Sequence, residues 1–501
     1  MKKITLYIFS LLIASSFLSS CDKGFDELNT NKVNPTALNP VYELNNATLR
    51  TSFTWQSVIY EAAIVQQIVS PYLGVNAGGN VNQNNTSVTG VNWQRYYREV
   101  NKHLVDVIAK TKGDATRSNL YNMARIWKAY TFMILTDSYG DVPYSEAGLG
   151  YLQGTVFPKY DAQQAIYTDI LKELDEASAA LDANKTKEVS DIIYTGDITK
   201  WKRLGYSLLL RAAMRLTKVD ANTAQTYVKK AFAGGVMLSN ADNCILRHSA
   251  AYTNEIGSQL NGSERANFYL HGAFVNFLKS TNDPRLGIIA LKYNTKLQDV
   301  NNFTKDPAAQ IGIPAGYDQS TIASTPNYPG AIELYSQVDR TKIGRFDAPC
   351  FFVTYSQSQL LLAEAAQRGW ITGNVSDYYK AGVKGHMQQF TEYDANSNVS
   401  DATIDAYFTA NPFVATKALE QINTQYWVSS FMNSPEGFAN FRRSGFPALT
   451  PNPYPGKEIK GNFINRLSYP VDEISVNKTN LDAAVARQGA DNLDTKVWWD
   501  K

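Results

Sequence analysis

Cysteine and histidine are scarce in this chain, with three and four residues in 501. Three cysteines (Cys21, Cys244, Cys350) exclude a disulfide-stapled scaffold. A Cys244–Cys350 bridge is chemically permitted outside the cell, but two buried free thiols are the expectation. His103, His248, His271 and His386 are dispersed, and although Cys244 and His248 stand four apart, no second pair at ligand spacing completes a metal site. No metal and no other cofactor is therefore expected. Excess charge of one sign is also missing: 48 Lys+Arg face 46 Asp+Glu, without a long basic run, which argues against nucleic acid as a partner. After residue 20 no segment supplies the roughly 18 consecutive apolar residues of a membrane-spanning helix; even Leu208-Leu209-Leu210 is interrupted by Arg211 and Arg215. The chain lacks a G-x-S-x-G elbow, an H-E-x-x-H pair and a glycine-rich phosphate loop, so no catalytic residue is assigned and a non-enzyme is expected.

What is present begins at the N-terminus. Lys2 and Lys3 precede an apolar run from Ile4 to Phe17, and Leu18-Ser19-Ser20-Cys21 has the form of a lipobox. Residues 1–20 read as a lipoprotein signal peptide, and Cys21 as the site of lipid attachment. Acyl burial is worth about 0.8 kcal/mol per methylene, so two or three chains tether a protein that does not itself span the bilayer. Removing residues 1–20 takes away Lys2, Lys3 and no acid, leaving 46 charges of each sign. Residues 21–40, rich in Asn, Thr, Asp and Pro, suit an extended lipid-anchored leader, and residues 41–501 read as one domain.

Helical periodicity recurs in that domain. Leu120, Met123, Trp127, Tyr130 and Ile134 form one apolar stripe, and Ile166, Ile170, Leu174, Ala177 and Leu181 form another. Asp197 is placed to cap a third helix with the stripe Trp201, Leu204, Leu208 and Ala212, and residues 224–232 suit a short companion. Residues 359–368 and 378–390 predict a helical hairpin, and Ala415, Leu419, Ile422 and Tyr426 mark a further helix. Paired helices at short separation suggest a mainly α, tetratricopeptide-like superhelix in which each pair buries its face on its neighbours, although no steady 34-residue period is visible. Residues 71–92 and 292–348 are rich in Asn, Gly, Pro, Ser and Thr, and long irregular loops of this kind usually carry function.

Several motifs, in order, resemble the SusD/RagB nutrient-binding outer-membrane lipoproteins, in particular the SusD-like branch. They are Cys21-Asp22-Lys23-Gly24-Phe25-Asp26-Glu27-Leu28-Asn29-Thr30, Asp137-Ser138-Tyr139-Gly140-Asp141-Val142-Pro143-Tyr144, Asn282-Asp283-Pro284-Arg285-Leu286, Leu361-Leu362-Ala363-Glu364-Ala365-Ala366, Phe441-Arg442-Arg443-Ser444-Gly445-Phe446-Pro447, Arg466-Leu467-Ser468-Tyr469-Pro470 and Val497-Trp498-Trp499-Asp500. The resemblance implies a helical scaffold whose loops form the ligand face, on the exterior of the outer membrane, with a SusC-like TonB-dependent transporter as partner. Taken alone, Gly140 and Pro143 read as helix-ending residues, which makes Asp141 and Glu146 structural rather than an acid/base pair. Trp498 and Trp499 read as packing residues.

For a glycan, aromatic faces cover the C–H faces of sugar rings and asparagine amides meet the hydroxyls. The chain has 30 Tyr and 8 Trp. Tyr72, Asn76 and Asn84 in the first long loop, Trp93 at its end, Tyr269 in a second cluster, and Tyr317 and Tyr328 in a third are the candidate ligand residues. Trp93 also fits ordinary core. Binding of about −4 to −8 kcal/mol is expected, because a flexible polar ligand loses entropy and trades water for protein. The cargo alternatives are an oligosaccharide or, as in RagB-type uptake, a peptide; a surface glycoside hydrolase would rest on unplaced carboxylates.

Overall fold

The computed structural model describes residues 38–299 and 301–501, so the signal segment, Cys21 and the leader up to residue 37 lie outside the described residues. The first helix, α1 (Pro40–Arg50), starts where the Asn39 side chain accepts from the Val41 amide and Pro40 occupies the first turn, whose N–H needs no partner. It packs on α2 (Lys102–Thr111), and Lys110 bridges to Glu43 at 2.6 Å. The two periodic stripes become α3 (Ser118–Tyr139) and α4 (Gln163–Ala180). Asp197 caps α5 (Ile198–Arg215) by accepting from the Lys200 amide at 3.1 Å, and α6 (Ala221–Gly234) is its companion.

The hairpin is α7 (Tyr355–Gln367) and α8 (Val375–Gln389). α7 begins four residues earlier than its apolar spacing predicts, because Thr354 and Gln357 form a reciprocal capping box. The last expected helix opens with a 3-10 turn at Ala415–Lys417 and continues as α9 (Ala418–Ser429), followed by α10 (Ser434–Ser444). Each helix packs on the next: α2 on α3, α3 on α4, α4 on α5, α5 on α6, α7 on α8 and α9, and α9 on α10. α10 returns to α3, and α5 meets α7, which closes the stack. This is the expected tetratricopeptide-like arrangement of helical pairs.

The ordered motifs hold this stack together from inside. Arg443 donates to Glu364 at 2.8 and 2.7 Å, both residues about 1% exposed, and so joins α10 to α7. Arg285 is fully buried between Asp283, His386 and Gln425. Arg215 bridges Asp137 at 3.1 Å and Glu436 at 2.6 Å, and Trp499 closes the cluster. Gly140 ends α3 at φ 83°, and a Cβ there would sit 1.7 Å from the Gln488 side-chain oxygen. Asp141 meets Arg487 at 2.6 Å and Glu146 meets Lys159 at 3.3 Å, as befits structural acids.

Cys244 and Cys350 are free and buried on paired antiparallel strands (Cys244–Leu246 and Cys350–Val353), where Cys244 faces Val353 and Cys350 faces Leu246. Among the described residues no cluster of His, Cys, Asp or Glu could hold a metal, and no helix is long and apolar enough to cross a membrane.

Candidate functional site

Three irregular segments are drawn together beside the stack. The short strand Ile68–Val69 pairs antiparallel with Tyr269–Leu270, placing Val69 opposite Tyr269. The segment from Ile311 to Ser336 then locks onto both. The Ile313 amide donates to Leu270 O at 3.0 Å, the Leu270 amide to Ser336 O at 2.8 Å, and the Gln319 amide to Pro71 O at 2.7 Å.

This pairing produces a second apolar cluster, separate from the main core. Val69, Tyr269, Ile313, Ile322 and Tyr335 form its floor, and Tyr72, Tyr317, Tyr328 and Ile332 are half-buried above it. Four of the seven candidate ligand residues therefore meet in one place. Tyr269 is the buried member, its hydroxyl donating to Ala266 O at 2.7 Å. Tyr328 stands 6.3 Å from Tyr335, ring centre to ring centre. Burial, and then the nearby Glu333 carboxylate, raise the Tyr72 hydroxyl above its ordinary pKa. It remains a neutral hydrogen-bonding group at physiological pH.

The chain leaves Tyr72 through a 3-10 turn, Gly74–Asn76, in which Gly74 takes φ 73°. On the far side of that turn lies a cleft of about 600 Å³ walled by Trp55, Gln56, Val75, Asn84 and Val88. Asn84 is exposed there; its backbone amide is held by Glu458 at 2.9 Å, and its side-chain amide has no partner among the described residues. Trp55 presents a half-buried indole steadied edge-on by Phe268 at 6.4 Å. Asn76 is buried, with an unpartnered side-chain oxygen. Trp55 belongs to no motif and to no Asn-rich loop; the one mark it carries is a large aromatic in the first turn of a helix, behind Thr54.

Trp93 departs from expectation. Instead of ending the loop, it lies in a helix that already starts at Thr86, about 10 Å further along its axis at 1.5 Å per residue. The segment Thr86–Arg95 has β-branched residues and a glycine and little helical propensity, so packing rather than local preference made the helix. Trp93 is 4% exposed and sits among Tyr97, Tyr139, Tyr160 and Tyr469, at 4.8 to 5.9 Å. It is no part of the tyrosine cluster.

The family model for SusD-like proteins, described as starch-binding and associating with the outer membrane, matches residues 31–470. The chain belongs to the SusD-like family. A solved structure of a chitin-binding protein superposes with a TM-score of 0.82 at 33% identity, over 92% of this chain and all of that one. A SusD-like structure from Bacteroidetes gives 0.81 at 28% identity, over 93% and 100%. A chitin-binding SusD homolog from Flavobacterium johnsoniae shares the SusD-like fold, with a TM-score of 0.76 at 23% identity over 92% and 98%. No curated protein matches the sequence. Among the described residues, the motif acids Asp137, Asp283 and Glu364 are spent on buried ion pairs.

Proposed function

We propose that this SusD-like protein binds oligosaccharide at the cell surface and passes it to a SusC-like TonB-dependent transporter. The observation that carries the reading is the convergence of Tyr72, Tyr317 and Tyr328 beside the Trp55 and Asn84 cleft. Half-buried aromatic faces next to uncommitted amides are the combination that a sugar chain uses, apolar against ring C–H and polar against hydroxyl. A chitin-binding relative at 33% identity makes a β-linked N-acetylglucosamine oligomer the first ligand to test, and the family description makes a maltooligosaccharide the second. The signal segment 1–20, the lipid at Cys21 and an exterior orientation on the outer membrane belong to the same proposal.

Isothermal calorimetry of the mature chain with chitohexaose, maltoheptaose and an unrelated oligopeptide tests it. Saturable binding of one glycan at about millimolar to micromolar affinity is the expected outcome. Binding of the peptide alone would replace glycan with peptide as cargo. Co-purification of a tagged, detergent-extracted form with a barrel protein tests the transporter partnership.

A further inference from the structure

The helix Thr86–Arg95 contributes to two concavities. Near its start Ser87 and Val88 line the Trp55 cleft, and near its end Trp93 and Gln94 line a second cavity of about 410 Å³. Ser87 and Gln94 stand seven residues apart, so they share one face of the helix, about 10 Å apart along its axis. The volume of the second cavity falls within the roughly 300–1,000 Å³ range of ligand pockets.

Its outer walls come from two segments distant in sequence, residues 148–158 and 470–477. The Asn477 side-chain amide donates to Pro158 O at 2.8 Å and the Asn480 side-chain amide to Phe157 O at 3.1 Å, which ties one segment to the other. Gln94 donates to Asp472 at 3.0 Å and the Tyr160 hydroxyl to Glu473 at 2.6 Å, which ties the second segment to the body. The cavity is therefore preformed, and a ligand does not have to order it. Much of its apolar wall faces water: Tyr151 is 95%, Val156 68% and Val476 58% exposed. A ring face laid against these side chains removes that surface from solvent.

The charged groups of the lining are balanced. Asp472 and Glu473 each use one carboxylate oxygen within the protein and keep the other free, and neither is paired with a cation among the described residues. Arg98 and Lys102 are exposed and likewise form no ion pair among the described residues. Two acceptors and two donors of charged strength thus surround an apolar floor with no net charge. A ligand of single charge is drawn to one pair and opposed by the other. A hydroxyl both donates and accepts, so it can use both pairs, and hydrogen bonds to ionised partners are about twice as strong as neutral ones.

We infer that this cavity is a second glycan-contacting site, in which a neutral sugar ring lies against Tyr151 and the Val156 and Val476 wall. Its hydroxyls donate to Asp472 and Glu473 and accept from Arg98 and Lys102. The inference rests on the reading of this chain as a glycan-binding protein and adds a site in which no residue of the tyrosine cluster takes part.

The test is calorimetry of the mature chain with chitohexaose and maltoheptaose, comparing Tyr151→Ala/Asp472→Ala with Trp55→Ala/Tyr72→Ala. Tyr151 and Asp472 are exposed, so the cavity variant should unfold at the temperature of the unsubstituted chain. It should bind the preferred glycan about fivefold more weakly, or bind one copy where the unsubstituted chain binds two. Tyr151→Phe, which keeps the ring, should recover most of what Tyr151→Ala loses. Unchanged affinity and stoichiometry in the cavity variant, with a loss only in Trp55→Ala/Tyr72→Ala, would overturn this site and leave the tyrosine face standing. A loss confined to the cavity variant would do the reverse. No binding of either glycan by the unsubstituted chain would overturn both.

Discussion

The indole N–H of Trp499 donates to the Asp137 carboxylate at 2.8 Å, which ties the third residue from the C-terminus to the end of α3. Asp137 also receives Arg215 and the Tyr167 hydroxyl, so one buried acid gathers α3, α4, α5 and the chain terminus. Removing the indole leaves a cavity and an unfilled acceptor position. Trp499→Ala is expected to cost about 3–5 kcal/mol and Trp499→Phe about 1–2 kcal/mol, read from urea unfolding midpoints. Equal, negligible losses in both would mean that the terminus does not anchor the stack.

The Glu364–Arg443 pair makes a prediction in pH. Burial opposes charge on Glu364, but the Arg443 and Arg368 guanidiniums outweigh it and hold the carboxyl down at about 2, against an ordinary value of 4.5. The folded-state pKa thus lies below the unfolded one. The pair's stabilisation is complete above about pH 4.5 and is lost as pH falls from there toward about 2. Glu364→Gln should destabilise the protein by about 3–5 kcal/mol at pH 7, because Arg443 is left buried beside a neutral amide. The deficit should shrink steadily between pH 4.5 and 2 in parallel acid titrations of both proteins.

On the proposed glycan face, Tyr72→Ala and Trp55→Ala should each weaken the bound oligosaccharide by about tenfold in calorimetry. Both side chains are half-buried at the edge of their clusters, so unfolding free energies should change by no more than about 1–2 kcal/mol. Tyr269→Ala separates the two roles: it removes a floor residue and should lower stability by about 3–5 kcal/mol. Unchanged glycan affinity in both Tyr72→Ala and Trp55→Ala would move the site elsewhere.

Cys21→Ser should abolish palmitate labelling and leave an unlipidated precursor that retains residues 1–20. A mutant that still labels would place the lipid on another residue.

The helical stack was legible in the sequence because an apolar stripe at 3.6-residue spacing has one stable use, burial against another stripe. Leu120 to Ile134 and Trp201 to Ala212 stated that use locally, and Asp197 stated a cap. The helix through Trp93 was not legible. Thr86–Arg95 has weak intrinsic preference, and what stabilises it there is packing: the ring of tyrosines from residues 97, 139, 160 and 469, and the hydrogen bonds of Asn92 to Thr54 and Ser57. The composition of the loops named Tyr72, Tyr269, Tyr317 and Tyr328 as candidates, but not which of them share a surface or which becomes floor.

By itself, then, the sequence determined the elements whose information is local: the amphipathic helices, the turn at Gly140 and the order of the family motifs. Tertiary structure decided what depends on residues far apart in the chain. It paired Glu364 with Arg443 and Asp137 with Trp499, drew three irregular segments into one tyrosine cluster through the Ile68–Val69 and Tyr269–Leu270 ladder, and seated Trp93 among four tyrosines. Spacing along a chain fixes which residues share a helix face; distance across it is set only when hydrogen bonds and burial choose one packing among many.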